Sequence, residues 1–260
     1  MALSAEVISV QGLRKEYATP RGEVLALGRI DFTVGEGEFV AIVGPSGCGK
    51  STLLKILVGL LPATHGRVQL RGTPITGPRR DIGMVFQSPV LFPWRTVLDN
   101  VLLPVDVQRL GRDGNVSRAM DLLALVGLRG FEHRYPRELS GGMQQRVAIT
   151  RGLIHNPAML LMDEPFGALD AMTREAMNLE LQRIWLERRE TVVFITHSIA
   201  EAVFLADRVL IMTPRPGHIA EEVRVPIARP RSLDLMAAPD FAGLVGRIRA
   251  HFHAKGGLDA

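Results

Sequence analysis

Nine consecutive residues, Gly44-Pro45-Ser46-Gly47-Cys48-Gly49-Lys50-Ser51-Thr52, carry the densest chemistry in this chain. They fit G-x-x-x-x-G-K-[ST], a loop that wraps the phosphates of a nucleotide. Glycines let the backbone turn with its N–H groups pointing inward. Lys50 supplies a point charge to the β- and γ-phosphates, and the Ser51 hydroxyl can ligate Mg²⁺. The bland alternative is a glycine-rich turn that binds nothing, in a chain with 26 glycines among 260 residues. The flanks argue against it. Glu38 to Val43 reads as a buried strand and Ser51 to Leu57 as the opening of a helix. Phosphates would then rest on a helix N-terminus, where free N–H groups and the macrodipole favour negative charge.

Two further stretches could complete such a site. Met159 to Met162 is an apolar strand ending in Asp163-Glu164, which puts two carboxylates at a strand's C-terminal end, where open α/β folds bind ligands. Asp163 suits a Mg²⁺ shell, and Glu164 can polarise a water for in-line attack on a γ-phosphate. Leu139-Ser140-Gly141-Gly142-Met143-Gln144-Gln145-Arg146 combines a helix-capping serine with two glycines that give a phosphate access to free N–H groups. Within one chain this second phosphate-binding end has no second loop to complete it. Two chains packed head to tail would supply each other's missing half.

The elements that must position these residues alternate along the chain. Val7 to Val10 with Leu13, Val24 to Leu27 and Ile30 to Val34 read as strands of an antiparallel layer, separated at Gly22 and at the Gly35-Glu36-Gly37 turn. Gly66 to Leu70 and Ile82 to Phe86 follow as strands. From Ser88 to Pro157 the pattern turns helical, with Val97 to Leu110 and Val116 to Val126 carrying helical apolar spacing. Strands return at Met159 to Met162, Val192 to Ile195, Val209 to Met212 and Ile219 to Val225, and a last helix is predicted near Phe241 to Phe252.

Bulk properties narrow the classes. A hydrophobic content of 47% and a charged content of 22% are those of an ordinary globular protein. No apolar run approaches the ~20 residues that span a bilayer, and the first seventeen residues show no secretion signal, so a cytoplasmic location is expected. A single cysteine excludes an internal disulfide, and Cys48 occupies a loop position whose side chain the motif leaves free. The net charge of +4 comes without a dense basic run interleaved with aromatics, so nucleic acid is not expected as a partner.

The order of phosphate loop, Gln87, LSGGM, LLMDEP, Ala168-Leu169-Asp170 and Thr196-His197 resembles the ATP-binding subunits of ABC transporters. The likeness extends from Tyr17 to about Val225. It implies an α/β fold, a P-loop NTPase (RecA-like) core with an antiparallel β layer and an inserted α-helical subdomain. The expected division is a core over 1–87 and 158–225, the helical subdomain over 88–157 and a tail helix within 226–260. The cofactors implied are ATP and Mg²⁺.

The resemblance also implies roles. Tyr17, with Val24 nearby, matches the aromatic that stacks on adenine. Residues 44–52 hold the phosphates; Ser51, Gln87 and Asp163 hold Mg²⁺; and Glu164, His197, Gln87 and Lys50 serve hydrolysis. Ser140, Gly141, Gly142, Gln144 and Asp170 belong to the parts that meet nucleotide across a dimer. The commonest signature of the family is LSGGQ, and here Met143 stands in the fifth place.

The leading reading is thus an ATPase driving an importer from the cytoplasmic face of a bacterial inner membrane. Its partners would be a second copy of itself, two integral-membrane permease subunits and, indirectly, a solute-binding protein. A soluble relative acting on DNA or ribosomes is the second reading, and an ATP sensor without hydrolysis is the third. Gln87 to Leu139 is too short for the coiled coil of DNA-repair members, and the presence of Glu164 and His197 argues against a sensor. The run Leu91-Phe92-Pro93-Trp94-Arg95-Thr96-Val97-Leu98-Asp99-Asn100-Val101 and the Thr213 to Ile219 turn resemble the branch importing nitrate, sulfonates and taurine. Leu91, Phe92 and Trp94 are expected either to pack within the helical insertion or to form a groove for a permease helix.

Overall fold

The computed structural model describes residues 5–20 and 22–253. In chain order the elements begin with β1 (Glu6–Thr19), β2 (Gly22–Gly35), β3 (Phe39–Val43), α1 (Lys50–Leu57), β4 (His65–Leu70), β5 (Thr73–Pro74) and β6 (Ile82–Val85). Five helices and a strand follow as α2 (Val97–Val101), α3 (Leu103–Gln108), α4 (Asn115–Leu125), α5 (Gly141–Leu153), β7 (Met159–Asp163) and α6 (Ala171–Arg188). The chain ends with β8 (Val192–Thr196), α7 (Ile199–Leu205), β9 (Arg208–Met212), β10 (Ile219–Arg224) and α8 (Pro239–His253). The backbone divides into two units, residues 1–79 with 189–260 and residues 80–188.

In the first unit, apolar and polar residues alternate from Ile30 to Val34. Ile30, Phe32 and Val34 are buried, while Asp31 and Thr33 between them are exposed. This period of two is what a half-buried strand requires. The two strands read separately over Val24 to Leu27 and Ile30 to Val34 run together as β2, and register shifts opposite Val10, Leu13 and Lys15 absorb the irregularity. The antiparallel sheet has the order β2-β1-β4-β5.

The same unit holds a second set of strands in the order β10-β9-β3-β8. β3 is parallel to both β8 and β9, and β10 closes the edge antiparallel to β9. Every residue of β3 and of β8 is buried, as expected of parallel strands covered on both faces. Phe39 and Phe194 meet there with ring centroids 5.8 Å apart. At one end Arg208 grips Glu38 with two nitrogens, at 2.5 and 3.0 Å, and reaches Glu222 at 2.7 Å.

In the second unit β6 and β7 pair in parallel, from Ile82 opposite Met159 to Val85 opposite Met162, and α2 to α6 belong to the same unit. The single helix expected over Val97 to Leu110 is two. Pro104 falls in the first turn of α3, where its missing N–H costs nothing, whereas inside one continuous helix it would remove a bond. Asn100 is fully buried. Its amide donates to the carbonyls of Phe92, Arg95 and Thr96 at 3.1, 3.1 and 2.9 Å and accepts from the Phe92 N–H at 2.8 Å. One side chain therefore fixes the backbone of the Phe92–Thr96 turn. α6, not singled out as an element in the sequence, buries Met177, Leu181, Ile184 and Trp185 at helical spacing. Among the described residues no helix is long and apolar enough to cross a membrane.

Candidate nucleotide site

Each unit carries its own part of the machinery. In the first, β3 delivers the chain into the phosphate loop and α1 leaves it. Gly49, the residue before α1, has φ +101°, and a Cβ there would lie 2.5 Å from Leu27 Cδ2, so both the conformation and the space demand glycine. α1 has no side-chain cap and no acidic residue in its first turn, which leaves its N-terminal N–H groups open to an anion. Lys50 is buried, and its ammonium donates to the Gly44 and Pro45 carbonyls at 2.7 and 3.1 Å. Ser46, Gly47 and Ser51 are exposed and Thr52 is half-buried. Cys48 is buried, and burial pushes its thiol above the ordinary range, which keeps it protonated and unreactive.

A second segment braces this loop. Gly217 donates to the Ala26 carbonyl at 3.0 Å and accepts from Gly28 at 2.8 Å. Arg215 donates to the Gly47 carbonyl at 3.2 Å. A Cβ on Gly217 would stand 1.9 Å from the Cys48 carbonyl oxygen, so only glycine lets this turn approach the loop.

Tyr17 and Val24 are directly opposite each other on β1 and β2, and both are exposed. The Lys15 ammonium lies 5.2 Å from the Tyr17 ring centroid. His197, also exposed, follows β8 immediately. Its placement is set by its neighbours. The buried Thr196 hydroxyl donates to Glu201 at 2.6 Å and accepts from the Ser198 N–H at 2.9 Å, and Ser198 caps α7.

In the second unit, β7 ends at Asp163 and Glu164 follows with φ +45°. A glutamate in the left-handed region is uncommon and is found where the surrounding structure holds it for a purpose. The Gly167 N–H donates to the Glu164 carbonyl at 3.0 Å. Gln87 is exposed, two residues beyond β6, with its amide close to Gly167.

Ser140 caps α5, accepting from the Met143 N–H at 3.4 Å. Gly141 is exposed, and Gly142 packs against the start of α6, where a Cβ would lie 3.1 Å from Thr173 Cγ2. Asp170 starts α6, accepting from the Thr173 N–H at 3.0 Å, and its hydrogen bonds with Thr173 hold its carboxyl below the ordinary range. Gln144, expected at the nucleotide, donates to the Pro136 and Leu139 carbonyls at 3.0 and 3.2 Å, so its amide braces the approach to Ser140. Among the described residues no three His, Cys, Asp or Glu side chains gather into a metal site.

In the sequence His155 matches no pattern, and Arg151 is not among the candidate residues. Both line an apolar groove, Arg151 near the end of α5 and His155 four residues on, just past it.

The family model described as ABC transporter matches residues 27–167. An ABC transporter ATP-binding protein of Methanocaldococcus jannaschii, MJ0412, is 48% identical over 224 residues, covering 86% of this chain and 84% of its own. The taurine import ATP-binding protein TauB of Burkholderia thailandensis is 50% identical over 213 residues, 82% of each chain. Among solved structures, the dimeric form of MJ0796, a bacterial ABC transporter cassette, superimposes with a TM-score of 0.73 at 35% identity, covering 85% of this chain and 100% of that one. A post-hydrolysis state of the same cassette, bound to ADP and Pi, gives 0.72 at 34% identity, with the same coverage. Loop, fold and relatives agree: the chain belongs to the ABC transporter family, as an ATP-binding subunit that hydrolyses ATP.

Proposed function

We propose that this chain is the energy-coupling ATPase of a membrane importer for a small anion, working as a head-to-tail dimer. The observation that carries the dimer is the inventory of one chain: one phosphate loop, and one serine-capped, glycine-opened helix start at Ser140–Gly142. Each loop would meet the other chain's Ser140 helix, and the dimeric state of the MJ0796 cassette supports this.

Within each site, Tyr17 and Val24 take the adenine, residues 44–52 the phosphates, and His197 the γ-phosphate. Glu164 orients and polarises the attacking water, with Gln87 beside it. Asp170 links the two sites. Ser51, Gln87 and Asp163 offer hydroxyl, amide and carboxylate oxygens, the hard donors that Mg²⁺ takes beside phosphate and water. When bound, that ion neutralises charge developing on the β- and γ-oxygens. The core is assigned to 1–87 and 158–225, the helical subdomain to 88–157 and the tail to 226–260.

The partners are two permease subunits, each placing a short helix in the groove that Phe92 helps to wall, with a solute-binding protein beyond them. Leu91 and Trp94, read with Phe92 as one cluster, are not among the groove's lining residues. Trp94 is exposed, its ring tilted 34° against that of Phe92 with centroids 5.1 Å apart. The chain would work at the cytoplasmic face of the inner membrane. The TauB relatives and the LFPWRTVLDNV run support taurine, alkanesulfonates or nitrate as solute.

Glu164→Gln tests the core of the proposal. It is expected to bind ATP, to lose at least ~100-fold in turnover and to elute as an ATP-trapped dimer in size-exclusion chromatography. Normal turnover would remove Glu164 from the mechanism. A deletion strain that grows normally on taurine, alkanesulfonate and nitrate as sole sulfur or nitrogen sources would rule out the solute class.

A further inference from the structure

The turn from Thr213 to His218, in the same unit as the phosphate loop, is held rigid by its own bonds. Thr213 is buried; its N–H donates to the His218 carbonyl at 3.0 Å, and its hydroxyl accepts from the His218 N–H at 3.2 Å. Gly217 pairs with β2 in both directions, and Pro214 and Pro216 fix φ on either side of Arg215. The turn also lies directly on the loop. A methyl group added to Gly44 would stand 2.9 Å from the Met212 carbonyl oxygen, and one on Gly217 would strike the carbonyl of Cys48.

Arg215 is exposed, yet its guanidinium rests against Gly47. The nearest atoms to a Cβ built on Gly47 are Arg215 Nη2 and Nε, at 3.7 and 3.9 Å. Nε donates to the Gly47 carbonyl at 3.2 Å. Among the described residues, neither that carbonyl nor the guanidinium has another hydrogen-bond partner.

A trans peptide points its C=O and N–H in opposite directions. Arg215 draws the Gly47 carbonyl outward, so the next N–H, that of Cys48, turns into the loop. There it donates to the Pro45 carbonyl at 3.3 Å, which the Lys50 ammonium also meets. This peptide needs an outside hold. Gly47 has φ +74°, and a residue without Cβ offers little resistance to rotation.

We infer that Arg215 is a positioning residue for nucleotide binding, keeping the Cys48 N–H aimed where a phosphate oxygen must sit. The inference rests on reading residues 44–52 as the phosphate loop. A loop whose donors already converge binds more tightly than one that must first turn a peptide round. Because Arg215 acts through the Gly47 carbonyl, it favours ATP and ADP alike, since both carry the phosphates such a loop cradles.

Arg215→Ala in the purified full-length chain tests this, with Lys50→Ala beside it to test the loop itself. ADP and a non-hydrolysable ATP analogue, titrated by calorimetry, should both bind Arg215→Ala about three- to tenfold more weakly, by the same factor. The KM for ATP should rise with them. At saturating ATP, kcat should stay within about twofold, because bound phosphate then holds the peptide itself. The melting temperature should move by less than about 2 °C. A larger loss for the ATP analogue than for ADP would mean direct contact with the γ-phosphate and overturn the positioning role. So would a fall in kcat with affinity unchanged, or a melting temperature lowered beyond that range, which would make Arg215 a brace of the fold. Parental affinity in Arg215→Ala alongside weak binding by Lys50→Ala would overturn the inference and leave the loop. Parental affinity in both variants would remove the reading of the loop and the inference with it.

Discussion

Gln87 and Gly167 are in close contact: a methyl group added to Gly167 would lie 3.1 Å from Gln87 Nε2 and 3.4 Å from the Glu164 carbonyl oxygen. The amide assigned to the attacking water and the backbone of the assigned base therefore meet over one hydrogen-sized side chain. Gly167→Ala is expected to push the flexible Gln87 side chain aside. Turnover should fall by about tenfold or more, since small misplacements of a positioning group are costly. The melting temperature should move by less than about 2 °C. Unchanged steady-state ATPase in this variant would show that the position of Gln87 against Gly167 does not matter to the reaction.

Arg231 is the structural counterpart of these functional groups. It is 2% exposed, and one of its nitrogens donates to the Val203, Phe204 and Ala206 carbonyls at 2.8, 2.9 and 2.9 Å. These include the unpaired carbonyls at the end of α7, where a cation also meets the negative pole of the helix. Burial first, and then the neighbouring Arg229, pulls Arg231 down to about 10, so it is still charged at neutral pH. Arg231→Met would leave those carbonyls without a donor, and a loss of about 2–4 kcal/mol in urea unfolding is expected. Arg231→Lys should recover only part, because one ammonium cannot reproduce the fork.

Asp106 ties together the turn before α2 and the loop after α3. Its carboxylate accepts from Arg112 at two points, 2.9 Å each, and from Arg95 at 3.1 Å. Arg112 first, and Arg95 after it, hold the Asp106 carboxyl below its ordinary 3.8. A carboxyl depressed by folding adds stability above its unfolded value, and that stability is lost as pH falls through the folded one. The wild type should therefore exceed Asp106→Asn at pH 7 by no more than about 1 kcal/mol, since solvent screens the pair. Denaturant melts should show the difference shrinking below about pH 4. A gap that stays constant to pH 2.5 would mean the amide loses something other than charge.

Local geometry explains what the sequence revealed. The phosphate loop and the Ser140 cap were legible because turns and caps need particular residues at particular places, whatever surrounds them. The break in the helix after Val101 is legible in Pro104, which overrides the longer apolar period running through it. The stripe Met177, Leu181, Ile184 and Trp185 of α6 was likewise present but interleaved with charge. By contrast, nothing in the residue types announces that Glu164 and Val90 sit at positive φ, because the surrounding fold imposes it. Nor could the groove be read from Leu91, Phe92 and Trp94 alone. Its other walls come from β6, α3 and the end of α5, which no local pattern brings together.

The last prediction concerns the shared site. Lys50→Ala removes the phosphate-loop cation and is expected to weaken nucleotide binding. Ser140→Arg puts bulk and charge where the other chain's nucleotide would rest, on a capped helix start whose Gly141 is exposed. Each variant alone, as a homodimer, breaks both composite sites and should be nearly inactive. Mixing them changes the arithmetic. In a mixed dimer the Lys50→Ala loop faces the Ser140→Arg helix, so one site is doubly broken and the other, made of an intact loop and an intact helix start, is whole. ATPase titrated against the mixing ratio should pass through a maximum near equal amounts, where mixed dimers are most abundant. Were each site complete within one chain, no such site could form, and the activity of every mixture would be the weighted mean of the two parents.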